Sequence, residues 1–347
     1  MTVRIARLAA CVLALGAAAA APSSRAQEPV DPAVLLLRFE PVLLFHSQED
    51  WAPERADAFV ARARVEKQVA RNSWSAVPKP VPTSTRGCAF TPCYRFNLPC
   101  PLRGGDGCYE KTSATITDWK RPVVYGRVLT VPPGTPAPPG FTTPPQYLVR
   151  YWLFYEFDDW RTARERVWQA HEGDWESITI GISSTLEPLF AAYSQHCSGT
   201  IRAWAPVEKR GGTHPVAYVG LGSHANYFTN APTSTKFSEC LRKYFDRPEL
   251  ARAQTIIKAT EERLVDRTGT VHASGPPGLA GTTPLQLVEL KQPLPAWASF
   301  PGRWSEGQLL WLGRTPRRFT SLMETGGPAT PNWNGTSIPS YWHTTSS

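Results

Sequence analysis

The segment YLVRYWLFYEF at residues 147–157 constrains the fold of this chain more than any other stretch of it. Aromatic and branched apolar residues favour strands, and apolar side chains on both faces are typical of a strand in the middle of a sheet. Proline supplies 34 of the 347 residues, about twice the usual share, and a proline inside a helix breaks it. These features disfavour an all-helical fold and predict a mainly β protein.

Shorter patterns complete the predicted fold. We expect further strands at residues 41–45, 123–131, 175–182, 189–196 and 215–221, and strand-like sequence at 297–312. Apolar residues at helical spacing predict helices at 54–70 and 248–265. We predict a β-sandwich with a few peripheral helices, formed as a single domain by residues 27–347. A disulfide-rich loop at about 86–110, a proline-rich loop at about 132–145 and a helical insertion at about 247–266 would extend from it.

Residues 1–26 have the pattern of a secretory signal peptide. Arg4 and Arg7 precede an apolar, alanine-rich run, and Ser24 and Ala26 are small residues at the cleavage positions. The run is shorter than a helix that spans a bilayer, so we expect a secreted protein, extracellular or periplasmic, without a transmembrane span. Cleavage would remove three arginines and lower the formal charge from +8 to +5. Scattered basic residues at this charge do not indicate a nucleic-acid partner.

The cysteines fit the same interpretation. Cleavage would remove Cys11 and leave six cysteines, an even number that favours disulfides in an exported chain. The first four are not spaced as the paired Cys-x-x-Cys of a zinc ribbon, and the spacing does not define the connectivity. The six disulfide candidates are Cys88, Cys93, Cys100, Cys108, Cys197 and Cys240.

Acidic and histidine residues concentrate in the motif HEGDWE at residues 171–176. Residues two apart share a face of a strand, so Asp174 and Glu176 should project together, and His171 in the preceding turn can reach the same point. Carboxylates with one or two imidazoles favour Mg²⁺ or Ca²⁺, with Mn²⁺ or Zn²⁺ as alternatives. Further acidic and histidine residues end neighbouring predicted strands: Asp158, Asp159, His196 and His224.

Other interpretations of these residues stay open. The carboxylates and histidines could cap and salt-bridge an edge of the sheet, or two carboxylates could form an acid–base pair. Ser223 and His224 lie in a sequence without the Gly-x-Ser-x-Gly pattern of a hydrolase turn, so they are interpreted as orienting the turn or supporting the ligands. His46 and Glu49 are interpreted as a structural network near a helix start, or less favourably as distant ligands.

Five motifs occur in the order FHSQE (45–49), YWLFYEFD (151–158), HEGDWE (171–176), SQH (194–196) and HPVAYVGLGSHANYF (214–228). In this order they resemble the vacuolar protein sorting-associated protein sixty-two family. The molecular activity of that family is not established, so the resemblance implies architecture more than function.

HEGDWE is also distantly similar to the GHRHDWE signature of the necrosis- and ethylene-inducing peptide-like proteins, secreted cytolysins with a β-sandwich and a divalent cation. This resemblance implies four metal ligands: Asp158, His171, Asp174 and Glu176. Ala170 and Glu172-Gly173 depart from the signature, so cytolysis is not implied.

Three functions follow as expectations. The first is a surface or secreted protein that binds a lipid or glycan through the cation without turnover. The second is a metal-dependent hydrolase in which Glu172 or His224 is the general base for a metal-bound water. The third is a structural module without a ligand. The sequence predicts neither the identity of the ligand nor the oligomeric state.

Overall fold

The longest strands of the computed structural model form one antiparallel pair, β6 (Tyr147–Arg161) and β7 (Val167–Ile182). The structure describes residues 30–71, 73–99, 122–161, 167–195, 198–230, 272–306, 309–312, 318–319, 331–339 and 343–344. Several predicted features lie outside these residues: the signal peptide at 1–26, the helical insertion at 247–266, His196, Cys100, Cys108, Cys197 and Cys240.

The other elements are short. The helices are α1 (Pro32–Arg38), α2 (Ala56–Arg62) and a 3-10 helix at Ala296–Ser299. The remaining strands are β1 (Val42–Phe45), β2 (Arg64–Ala70), β3 (Ser73–Val77), β4 (Tyr94–Asn97), β5 (Val123–Thr130), β8 (Pro188–Gln195), β9 (Ser198–Ala203), β10 (Lys209–Arg210), β11 (His214–Val219), β12 (Asn226–Tyr227), β13 (His272–Gly275), β14 (Thr283–Pro284), β15 (Gln286–Glu289), β16 (Leu309–Leu312), β17 (Arg318–Phe319) and β18 (His343–Thr344).

The larger sheet is built around β6. Its described strands follow the order β15-β5-β6-β7-β8-β9-β18, and β16 pairs with β7 and with β17. β6 has strand partners on both sides, and its apolar side chains on both faces are buried, including Tyr151, Leu153 and Phe154. The prediction of a central strand in a mainly β protein is therefore confirmed.

A second sheet packs against the larger one. Its described strands follow the order β10-β11-β1-β13-β14, and β12 pairs with β11. Between the two sheets, the Tyr193 hydroxyl of β8 donates a hydrogen bond to the Val216 carbonyl of β11, and the Tyr193 ring stacks on Phe228 with centroids 3.9 Å apart. The two layers form the predicted β-sandwich, and its core lies between them.

A small third sheet corrects one helix prediction. Residues 54–70 do not form one helix, because α2 ends at Arg62 and the chain continues as β2, between β3 and β4. Ala63 already has an extended backbone, and in β2 only Val65 is buried whereas Val69 is 55% exposed. Pairing with two neighbouring strands outweighs the helical spacing of the apolar residues.

The loops agree in part with the sequence. Cys88 and Cys93 form a disulfide in the predicted cysteine-rich loop, and residues 131–146 connect β5 to β6 through turns. The strand-like sequence at 297–312 is only partly a strand, because Trp297 lies in the 3-10 helix and β16 begins at Leu309. None of the helices that the structure describes is long and apolar enough to cross a membrane.

Candidate metal site

The candidate site lies on the half of the β6–β7 pair that includes HEGDWE. Asp158 of β6 is directly opposite His171 of β7, and Tyr155 is opposite Asp174. His171 was expected in a turn before the strand, and that expectation is wrong because β7 already begins at Val167. The strand extends this far because β6 pairs with it up to Arg161, and β16 pairs with its other edge.

Gly173 explains how His171 and Asp174 reach one point. Residues three apart in a regular strand point to opposite faces. Gly173 has a φ of 63°, in the left-handed region that favours glycine, and so interrupts this alternation. A Cβ at this position would lie 2.5 Å from the Trp304 carbonyl oxygen, so there is no room for a side chain. The glycine of the motif therefore has both a conformational and a packing role.

Three side chains form a group that could hold a cation. His171 Nε2 lies 3.9 Å from Asp158 Oδ2 and 4.0 Å from Asp174 Oδ1. One ligand atom from each of the three residues lies within 4.8 Å of the others. All three are buried, although the side chains of His171 and Asp174 remain 8% and 10% exposed. The group is thus reachable from solvent at one edge.

The imidazole of His171 is oriented as a ligand should be. Its Nδ1 lies 3.0 Å from the Glu172 carbonyl oxygen, which can only accept, so Nδ1 carries the proton and donates it. Nε2 then faces the two carboxylates. A ring nitrogen that donates to a backbone carbonyl while the other faces the ion is usual for histidine ligands of metals.

Electrostatics favour a cation at this point. Burial raises the pKa of Asp158 well above its usual range, and the charge of Asp174 raises it further. Two carboxylates held close together away from water are costly unless a positive charge compensates them. Two carboxylates and one imidazole fit a hard divalent cation better than a soft one.

His224 supports the group from the second sheet. Its Nδ1 lies 3.0 Å from Asp174 Oδ2, its Nε2 lies 3.7 Å from Glu49 Oε1, and its ring stacks on Tyr155 with centroids 3.7 Å apart. Burial alone would lower the pKa of His224, but the hydrogen bond to Asp174 and the charges of Asp174 and Glu49 outweigh burial and raise it to about 10. His224 also has a φ of 56°, an unusual conformation for a residue with a side chain.

Glu49 joins two turns at the site. Its Oε1 accepts a hydrogen bond from the Trp51 amide at 3.0 Å, and its Oε2 accepts one from the Gly222 amide at 2.7 Å. The Gly222 carbonyl in turn accepts a hydrogen bond from the Asp159 amide of β6. Glu49 thereby fixes the turn that carries His224 against the larger sheet.

The other predicted site residues lie around this group. Glu176, the fourth expected ligand, is buried but is not a member of the group, and its carboxylate accepts a hydrogen bond from the Ser194 hydroxyl. Glu172 Oε1 accepts one from the Leu98 amide at 3.3 Å. Ser223 is buried in the turn, and its hydroxyl accepts a hydrogen bond from the Ala225 amide.

Sequence reasoning missed Tyr155 and, although it named Glu49, did not identify His224 as its neighbour. Tyr155 is placed by the strand register, and its position opposite Asp174 would have been visible if the two strands had been aligned residue by residue. Glu49 was interpreted as part of a local network, and only the fold brings it to His224, far along the chain.

Comparison with known proteins adds little. No protein-family model matches the chain, and no curated protein matches it. One solved structure that does match is necrosis and ethylene inducing protein 2 from the causal agent of cocoa's witches' broom disease. Its identity is 18% and its TM-score 0.29, over 59% of this chain and 72% of that chain. A TM-score this low shows neither a common fold nor a common function. None of these comparisons supports the resemblance to the vacuolar protein sorting-associated family.

Proposed function

We propose that this protein is a secreted or cell-surface β-sandwich protein that binds a divalent cation and engages a lipid or glycan through it, without turnover. The observation that carries the proposal is the convergence of Asp158, His171 and Asp174 on one buried point. The disulfide between Cys88 and Cys93 supports export, because disulfides persist in oxidising compartments.

The donor set leaves room for an external ligand. Calcium takes about six to eight oxygen ligands and magnesium about six, more than Asp158, His171 and Asp174 supply. Glu176, two residues further along β7, is proposed as a further ligand if Ser194 releases it. The slight exposure of His171 and Asp174 marks the edge at which a phosphate or hydroxyl oxygen would reach the ion. Both lipid headgroups and glycans carry such oxygens.

No specific observation favours the hydrolase alternative. A general base must be free to take a proton from the attacking water. His224 is fully buried between Asp174, Glu49 and Tyr155, and Glu172 faces the Leu98 amide. Neither side chain is placed to act on a water at the proposed ion.

Calorimetric titration of the purified, chelator-treated protein with Ca²⁺, Mg²⁺, Mn²⁺ and Zn²⁺ tests the cation. We expect one ion per chain, and Asp174→Asn should weaken binding by about a hundredfold or more, because it removes a ligand charge. The matched control is Asp57→Asn, which makes the same change at an exposed carboxylate paired with Arg55 on α2. Absence of binding by the wild type, or equal affinity of Asp174→Asn and the control, would contradict the proposal.

The external ligand is tested separately. The wild type should sediment with anionic phospholipid vesicles, or bind immobilised acidic glycans, only when the ion is present, and Asp174→Asn should bind neither. Binding that is unchanged by a chelator would show that the ion does not mediate the contact. Turnover of phosphoester, ester or glycoside substrates would favour the hydrolase instead.

A further inference from the structure

The turn between β11 and β12 contacts the proposed metal ligands. His224 lies in this turn. Among the proposed metal ligands that the structure describes, its Nδ1 contacts Asp174. A carboxylate can only accept a hydrogen bond, so the ring nitrogen donates to Oδ2. Asp174 Oδ1 lies on the side of His171. The two oxygens of Asp174 therefore have different neighbours.

We propose that His224, held by Glu49, is a positioning residue that fixes the orientation of Asp174 for cation binding. This inference rests on the proposed function, since it concerns the same ion. His224 does not touch the ion. It occupies one oxygen of Asp174 and thereby turns the other towards Asp158 and His171.

The surroundings of His224 leave its ring little freedom. Tyr155 covers one face of the ring with an interplanar angle of 3°, and no part of the side chain is exposed. Glu49 Oε1 lies beside Nε2, and Glu49 Oε2 holds the backbone of the same turn through the Gly222 amide. One carboxylate thus holds the backbone of the turn and lies next to the His224 ring.

The backbone of this turn supports a positioning role. A residue other than glycine with positive φ is strained and persists only where its surroundings impose it. His224 has this conformation, and its amide donates a hydrogen bond to the Gly220 carbonyl at 2.9 Å. Gly222 approaches β6 so closely that a Cβ would lie 2.3 Å from the Asp159 carbonyl oxygen. The strained turn places the ring where it meets Asp174.

Three variants separate positioning from general support of the fold. In His224→Asn the amide nitrogen lies close to the place of Nδ1 and asparagine tolerates positive φ, so the bond to Asp174 is kept. His224→Leu removes it. We expect His224→Leu to weaken binding of the preferred ion by about tenfold to a hundredfold, as for other partners of metal ligands, and His224→Asn to stay within about threefold of the wild type. Glu49→Gln should weaken binding of the same ion by about tenfold.

Ion affinity is measured by calorimetry, and each variant is first shown to be folded by its thermal transition. If His224→Leu does not fold, the ion affinities of Glu49→Gln and His224→Asn are compared instead. The positioning role then requires weaker binding by Glu49→Gln than by His224→Asn. The control His214→Asn alters a histidine whose ring contacts the Glu40 carbonyl oxygen, and it should leave ion affinity unchanged.

Variants that melt earlier yet bind the ion like the wild type would overturn the positioning role and leave the proposed function intact. A wild type that binds no ion would overturn both. Weak binding by His224→Leu together with recovery in His224→Asn would support the inference.

Discussion

The two halves of the β6–β7 pair both contain buried side chains but differ in their chemistry. In one half, Tyr151 faces Ile178 and Val149 faces Ile180, and all four side chains are buried. In the other half the register continues without a shift, but the facing residues include Asp158 with His171. The same hydrogen-bonded ladder thus carries an apolar core at one end and a buried charged group at the other.

This difference shows that burial is energetically favourable in one half of the strand pair and unfavourable in the other. Removing apolar side chains from water stabilises the first half. Removing Asp158 and Asp174 from water costs free energy that hydrogen bonds, His224 or a cation must offset. The charged half therefore needs partners from outside the strand pair. Glu49, after β1, and His224, in the turn between β11 and β12, provide them.

The largest expected effect comes from Gly173, within the charged half. Gly173→Ala should lower the free energy of unfolding by about 4 kcal/mol, because it combines overpacking against Trp304 with an unfavourable φ. It should also abolish ion binding, since His171 and Asp174 would no longer converge. Gly212→Ala is the matched control, because its φ is 85° with open space around the Cβ, so only about 1 kcal/mol is lost. Urea unfolding measures the free energy of unfolding of both variants. Equal losses would show that the close contact with Trp304 is unimportant.

Truncation of the apolar half should separate stability from ion binding. Ile180 is fully buried, so Ile180→Ala should lower the free energy of unfolding by about 3 kcal/mol through lost burial and a cavity. Because Ile180 is not part of the metal group, the affinity of the folded variant for the ion should match the wild type. Urea unfolding and calorimetric titration measure the two effects. A large loss of ion affinity would show that the two halves are energetically coupled.

The sequence predicted the apolar half better than the charged half. Runs such as YLVRYWLFYEF and SITIGI determine strand type and burial through residue chemistry alone, and the structure forms strands there. The helix expected at 54–70 was wrong after Arg62, because pairing of β2 with β3 and β4 depends on contacts that the local pattern does not contain.

The charged half was predictable only as a set of residue types. The sequence singled out Asp158, His171 and Asp174, but not the left-handed Gly173 that lets them converge. The partnership of Glu49 with His224 could not be predicted either, because it depends on the pairing of β1 with β11, two strands that are far apart in the chain. The sequence defines the donors, and the tertiary fold defines their orientation.

Glu40 sharpens the comparison, because it is a buried carboxylate outside both halves. It follows α1, it is fully buried, and neither of its carboxylate oxygens has a hydrogen-bond partner among the residues that the structure describes. Burial raises the pKa of Glu40 from 4.5 to about 7. Unlike Asp158, it has no place in the group that could hold a cation.

The smallest expected effect is the pH dependence that Glu40 adds to stability. A carboxyl group with a raised pKa in the folded state contributes stability fully below pH 4.5, and this contribution is lost as the pH rises to about 7. Stability should fall by at most about 1.4 kcal/mol per pH unit over this range, and by no more than about 3.5 kcal/mol in total. Glu40→Gln stays neutral, so the difference in unfolding free energy between wild type and variant should grow across this range and stay constant above it. Urea unfolding from pH 4 to 8 measures the difference. A constant difference would mean that folding does not raise the pKa of Glu40, and that a buried carboxylate can be stabilised here without the partners that Asp158 and Asp174 have.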